Sequence, residues 1–151
     1  MAITAVDDKN AVWRRIRGDP WTMDKLGIAL DDTATAVKRI LKHKNSDTEL
    51  TDQTFYISIY FAPSRKCYDS AFLERVLEVD VLCPEAKSLQ TDEIIDQITA
   101  LLTAQDFFIN GRKLLYDADV GDLAAPSGFY GVGTRYSFYT GTSALLKIRT
   151  V

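Results

Sequence analysis

Polar and apolar residues alternate with a period of two in several stretches of the chain, which is typical of β-strands with one wet face. From Leu77 to Val81, for example, the apolar positions are separated by Glu78 and Asp80. The same period predicts the strands Phe55–Ala62, Leu73–Leu82, Arg135–Tyr139 and Leu146–Thr150. Pro63 is expected to end the first of these strands.

A spacing of three and four residues between apolar positions predicts helices. The clearest helix begins at Thr91 as its cap and extends to Gln105, with the apolar stripe Ile94, Ile95, Ile98, Leu101 and Leu102. A first helix is predicted over Asp8–Arg17, with Asp8 at its N-cap. The run Gly18-Asp19-Pro20 stops that helix, because proline disfavours the helical region for the residue before it.

A further helix is predicted over Asp31–Lys44, with acidic residues at its positive end and basic residues at its negative end, as the helix dipole favours. Its core stripe is expected to be Ala34, Val37, Ile40 and Leu41. The basic residues Lys38, Arg39, Lys42 and Lys44 are interpreted as a solvated face, with a polyanion contact as the less favoured alternative.

Three segments are predicted to be turns or loops. Ser64–Asp69 is a polar loop tip. Asn110-Gly111 is either a type I′ hairpin or a turn between a helix end and one strand. Asp117–Gly133 is the longest irregular stretch, and it either displays Phe129 and Tyr130 for docking or folds them back onto the core.

Together these elements predict an α+β fold, a mainly antiparallel sheet with two or three helices packed on one face, in a single domain over residues 1–151. The 151 residues are 46% hydrophobic and 26% charged, as expected of a globular protein rather than a disordered one. A net charge of −3 disfavours sequence-directed nucleic-acid binding. No apolar run is long enough to span a membrane.

The chain carries no recognisable catalytic set. His43, its only histidine, lies between Lys42 and Lys44, so it is expected at the surface rather than as a base. Cys67 and Cys83 cannot form a zinc framework with one histidine; two reduced thiols in a cytoplasmic product are favoured over a disulfide. No catalytic residue, cofactor or metal ligand is therefore predicted.

In its element order and in the sequence pattern "EVDVLCP…TDEIIDQITALL", the chain resembles the tail-terminator or tail-completion proteins of long-tailed bacteriophages. More broadly, it resembles their head–tail joining proteins. The Gly18-Asp19-Pro20 break and the strand that ends at Ala62-Pro63 contribute to this resemblance. It implies a non-enzymatic virion protein, assembled in the host cytoplasm, that closes into a typically six-fold ring over the tail tube. The implied partners are further copies of the chain, the tube protein and the neck stopper, with DNA as non-specific cargo and no membrane.

By role, the resemblance implies that the two predicted loops and nearby strand faces contact neighbouring proteins. The interface residues expected on this basis are Arg65, Lys66, Tyr68, Phe129, Tyr130 and Tyr136. One alternative is another connector ring, an adaptor or stopper. An alternative of a different class is a small metal- or ligand-binding domain that uses Glu78, Asp80 and Asp117.

Overall fold

A computed structural model describes residues 5–46, 49–67 and 71–141, and within them one face of a β-sheet is covered by helices. The helices are α1 (Ala5–Arg17), α2 (Pro20–Leu26), α3 (Thr33–Arg39) and α4 (Leu89–Leu102), with a 3-10 turn at Glu85–Lys87 before α4. No helix in the described ranges is both long and apolar enough to cross a bilayer.

The main sheet has five strands in the order β1-β2-β3-β7-β6. They are β1 (Ile40–Leu41), β2 (Tyr56–Lys66), β3 (Phe72–Pro84), β6 (Leu115–Asp122) and β7 (Phe129–Gly141). The short β1 runs parallel to β2, and the other neighbours are antiparallel. A separate two-stranded hairpin consists of β4 (Phe108–Ile109) and β5 (Arg112–Lys113). The predicted α+β class is confirmed.

The core lies between the sheet and the helices. Ile57, Val79 and Tyr136 of the central strands are fully buried there, opposite Ile16 of α1 and Ile98 of α4. The apolar stripe predicted for α4 is confirmed at Ile94, Ile95, Ile98 and Leu102, which are buried, whereas Leu101 is only half-buried. The α4 helix begins before Thr91, however, so Thr91 is not its cap. The Thr91 hydroxyl instead donates to the Ser88 carbonyl from within the first turn.

The first helix also begins earlier than predicted, and Asp8 lies inside it. Asp8 is 4% exposed and accepts hydrogen bonds from Asn110 and Arg112 of the hairpin, so it serves tertiary packing rather than capping. The helix α2 was not predicted. Pro20 both follows the end of α1 and opens α2, because its fixed φ suits the first helical position, and Asp19 caps that helix by accepting from the Thr22 N–H.

The helix predicted over Asp31–Lys44 is only half as long. Asp32 caps α3, and the chain turns extended at Ile40 to form β1. Ala34 is exposed and Val37 is 57% exposed, so the predicted core stripe is wrong at both positions, whereas Ile40 and Leu41 are buried. The residues buried on α3 are Ala36 and Arg39. The β-branched Ile40 leaves the helix to pair with Ile57 of β2.

Pro63 does not end β2, which continues to Lys66. The register between β2 and β3 shifts between Ala62 and Arg65, so Pro63 and Ser64 occupy a bulge where proline is tolerated. Ser64–Lys66 is therefore strand rather than loop tip. Tyr68 and Asp69 lie outside the described residues, as does the strand predicted over Leu146–Thr150.

The long loop predicted over Asp117–Gly133 is wrong. Most of it is strand, and only residues 123–128 connect β6 to β7. The hairpin alternative at Asn110-Gly111 is confirmed: both residues have positive φ, 48° and 83°, as a type I′ turn requires. Phe129 opens β7 and is 8% exposed, so this ring folds back onto the protein.

Candidate functional site

The helix-free side of the sheet, named here the second face, carries the polar residues of the strands. In β3 the even-numbered residues Glu74, Glu78 and Asp80 point to it, and in β7 the odd-numbered residues Arg135 and Tyr139 do so. The unbroken antiparallel register pairs Glu78 with Arg135 and Glu74 with Tyr139, and directly paired residues share a face.

A buried polar cluster occupies the middle of the second face. Glu78 and Asp80 are 4% and 2% exposed. The Tyr60 hydroxyl of β2 contacts both carboxyl groups, at 2.6 Å from Asp80 Oδ2 and at a short distance from Glu78 Oε2. Arg135 Nε donates to Glu78 Oε1 at 3.0 Å. One guanidinium thus faces two carboxyl groups, and the cluster holds an excess of acid.

The geometry favours a proton on one of the two carboxyl groups. Glu78 and Asp80 are buried side by side on one hydroxyl, and two negative charges this close oppose the ionisation of both. Burial raises the pKa of Asp80, and its hydrogen bond with Glu78 raises it further. Burial also opposes ionisation of Glu78, but hydrogen bonds from Asp80, Tyr60 and Arg135 outweigh it and lower the Glu78 pKa. Asp80 is therefore the neutral member, and Glu78 is the ion that Arg135 balances.

Gly133 makes room for the second carboxyl oxygen of Asp80. A Cβ atom at Gly133 would lie 2.5 Å from Asp80 Oδ1. That oxygen is buried and has no hydrogen-bond partner among the described residues. It faces the backbone of β7 rather than an open cavity. The cluster is packed against its neighbouring strand, which is the arrangement of a structural polar core.

Asp117 does not join Glu78 and Asp80. Its carboxylate receives two hydrogen bonds from the Arg65 guanidinium, at 2.9 and 2.7 Å, which lower the Asp117 pKa. Across the described ranges, no group of three or more histidine, cysteine or acidic side chains is arranged to hold a metal. Cys83 is a buried free thiol, and burial raises its pKa to about 11.

Arg65 links three strands at one end of the second face. Besides Asp117 of β6, it binds Glu74 of β3 at 2.7 Å. In the sheet order two strands, β3 and β7, separate β2 from β6. The Arg65 side chain therefore lies across the second face and ties β2 to β6. Planar bidentate pairing of this kind is specific to arginine.

Three exposed hydrophobic side chains share the same end of the second face. Phe72, Leu115 and Tyr139 are 48%, 47% and 50% exposed. In the register, Phe72 pairs with Gly141 and Leu115 pairs with Ser137, so both are diagonal neighbours of Tyr139 on adjacent strands. They are named here the end patch. The opposite end of the second face is covered by Leu50 and Ala125.

The predicted interface residues lie in different environments in the structure. Tyr136 is fully buried and Phe129 is 8% exposed, so both side chains pack inside the subunit. Arg65 is engaged in its ion pairs, Lys66 is exposed, and Tyr130 donates its hydroxyl to Asp122. Tyr68 lies outside the described residues. The sequence analysis does not predict the end patch. Of its three residues only Tyr139 lies in a predicted strand, and the pairing that brings them together joins strands distant in sequence.

Comparison with known proteins gives the family of this chain. No curated protein sequence matches it. The family model YomW matches residues 18–138, a range that runs from the end of α1 to the last third of β7. This family is phage-derived, of the Bacillus SPbeta-like kind. The matched range includes the buried polar cluster and most of the end patch. The chain therefore belongs to the YomW family and is phage-associated.

Proposed function

We propose that this chain is a structural protein of the virion that forms a ring, terminates the phage tail tube and joins it to the neck, leaving a channel for DNA. The phage-derived family supports this proposal at the coarse level. The resemblance in element order to tail-terminator proteins supplies the finer role, with the tube protein and the neck stopper as partners and a six-fold ring as the expected assembly.

The end patch is the observation that carries the proposal. Large apolar side chains that lie together on a sheet face mark a surface that another protein covers. The patch adjoins the Arg65 ion pairs, and an apolar centre beside a polar rim is the anatomy of a protein–protein interface. The buried Glu78–Asp80 cluster on the same face holds the sheet together and presents no reactive group to solvent.

The proposal is tested by native mass spectrometry and electron microscopy of the purified chain, alone and with assembled tail tubes. We expect a ring that caps the tube ends. Leu115→Ser, in the end patch, should weaken capping at least about tenfold, as expected for a buried interface anchor. Leu89→Ser is the matched control, since Leu89 is 85% exposed on α4 and lies outside the patch.

A chain that stays monomeric and ignores tubes would contradict the proposal. Rings that bind the portal and not the tube would identify an adaptor instead. Equal capping by the Leu115 and Leu89 variants would remove the end patch from the interface.

A further inference from the structure

The two edges of the sheet carry opposite charge. The segment Lys38–Lys44, which contains β1, holds four lysine or arginine residues and no acid. The segment Leu115–Asp122, which is β6, holds three aspartates and no base. Because β1 and β6 are the outermost strands of the sheet, these segments lie on opposite sides of the subunit.

Part of each charged set is already engaged within the subunit. Arg39 is 9% exposed and donates to the carbonyl oxygens of Leu26 and Phe55. Asp117 is paired with Arg65. These two residues therefore stabilise the fold and are not available to a partner.

The remaining charges point to solvent. Lys38, Lys42 and Lys44 are exposed, and none pairs with a carboxylate in the described parts of the chain; they are named here the basic edge. Asp119 and Asp122 of β6 are exposed and lack a cationic partner within the same ranges; they are named the acidic edge. The charges of Lys38 and Lys44 act on Asp32 and Asp80, and Asp122 accepts a hydrogen bond from Tyr130, so each edge offers exposed charge of one sign that is only partly balanced within the subunit.

The two edges also differ in shape. A groove of about 540 Å³ opens beside the basic edge, and Val37, Lys38, Leu41 and Tyr56 line it. Its acidic residues are Glu49, which binds His43, and Asp52, whose charge acts on Arg39. At the other edge Tyr116 is 51% exposed and lies on the opposite face of β6 from Leu115, so its ring stands beside Asp119 and apart from the end patch.

Protection of a free strand edge explains only part of this arrangement. Charged residues and bulges discourage a sheet from adding strands, and β6 has both, with register shifts after Tyr116 and after Asp119. These bulges indicate that the contact is made by side chains rather than by a continued sheet. Edge protection does not require the other edge to carry the opposite charge beside a groove.

We propose that the acidic edge of one copy docks against the groove at the basic edge of the next copy. This inference rests on the proposed ring function and identifies the surfaces that meet. Edges on opposite sides of a subunit make a heterologous, head-to-tail contact, which generates a ring when the rotation between copies closes. The complementary charges fix the register of the contact and exclude edges of like sign.

A charge-swap experiment tests the contact. The variant Lys38→Glu/Lys42→Glu has acid at both edges, and the variant Asp119→Lys/Asp122→Lys has base at both. Each alone should assemble at least about tenfold more weakly than the unchanged chain, because like charges then face each other. An equimolar mixture should assemble again, with the two variants alternating, as native mass spectrometry of mass-labelled proteins would show.

Matched controls separate this effect from a general change in charge. Arg14→Glu on α1 and Asp96→Lys on α4 reverse exposed charges away from both edges and should leave assembly unchanged. Circular dichroism melting of every variant checks that it folds. Rings that tolerate both edge variants singly, or a mixture of folded variants that fails to assemble, would overturn the proposed contact and leave the ring function standing. A monomeric unchanged chain would overturn both.

Discussion

At the scale of the residue, the buried polar cluster depends most strongly on every member keeping its partner. Its members are Tyr60, Glu78, Asp80 and Arg135. Glu78 and Asp80 are buried side by side and share the Tyr60 hydroxyl, and a proton on Asp80 removes the repulsion between two adjacent negative charges. Buried polar networks of this kind specify a unique packing when complete and are costly when one member is lost. The cluster therefore links the stability of the subunit to pH.

Asp80→Asn should flatten the pH dependence of stability. The folded-state pKa of Asp80 is raised from 3.8 to about 8, so its stabilising contribution is full below pH 4 and is lost as pH rises through about 8. Thermal or urea unfolding between pH 5 and 9 should show the unchanged chain losing stability by at most about 1.4 kcal/mol per pH unit for this proton. The asparagine variant, neutral throughout, should not. If stability fell with pH equally in the unchanged chain and in the asparagine variant, a protonated Asp80 would be contradicted.

Gly133→Ala should destabilise the protein by about 1–3 kcal/mol, the usual cost of overpacking. Its Cβ would meet Asp80 Oδ1 at 2.5 Å and Leu123 and Val120 at 3.4 Å. Gly131→Ala is the control, since that Cβ would meet only side-chain atoms at 3.4 Å or more. Urea unfolding measures both, and equal stability of the two variants would contradict the close packing of Asp80 on β7.

At the scale of the element, the sequence predicts most reliably where one local signal dominates. The α4 stripe and the Asn110-Gly111 hairpin are correct because helical periodicity and left-handed turn chemistry are properties of adjacent residues. The Asp117–Gly133 loop is wrong because three of its four glycines lie in paired strands, where Gly131 and Gly133 admit side chains from neighbouring elements. Those neighbours are distant in sequence, so composition suggested a loop.

The candidate site, too, has one part that the sequence predicts and one part that it does not. The alternation that put Glu78 and Asp80 on one strand face is correct. Their burial, the proton that they share and the approach of Arg135 depend on which strands become neighbours. Asp8 likewise looked like a cap because it precedes a helical pattern, whereas its partner Arg112 is 104 positions away.

Asp8→Ala should lower the free energy of unfolding by about 2–4 kcal/mol, because it leaves the guanidinium of Arg112 without its carboxylate. The Asp8 side chain is 5% exposed and that of Arg112 is 20% exposed, so solvent cannot replace the lost pairing. Asp106→Ala breaks another aspartate–arginine pair, with Arg15, but Asp106 is 77% exposed. Its cost should stay within about 1 kcal/mol. Chemical denaturation compares them; similar costs would show that the Asp8 pair does not anchor the hairpin to α1.

At the scale of the whole molecule, one sheet face is closed by helices, and the other is open at the end patch. The two edges of the sheet also differ, in the sign of their charge. This difference runs across the strands, at right angles to the difference between the two faces. In the proposed ring, these two asymmetries would give the subunit one direction for contacts with its own copies and another for a different partner. The proposed terminator ring uses both.

Assembly of the ring should weaken as salt is added. The Debye length falls from about 10 Å at 0.1 M to about 3 Å at 1 M, so attraction between the exposed charges of the acidic and basic edges is screened. Analytical ultracentrifugation across this range should show the ring fraction decreasing. Binding to the tube through the end patch should change less, because apolar burial is not screened. Rings that tighten with added salt would contradict contact through charged edges.

The register of the end patch has a consequence for the order of events during synthesis. Phe72, Leu115 and Tyr139 come from three strands, and Tyr139 follows Phe72 by 67 positions in the sequence. A polypeptide whose synthesis has not yet reached Tyr139 therefore lacks the complete patch. In the proposed assembly, such an incomplete product cannot make the contact of the end patch.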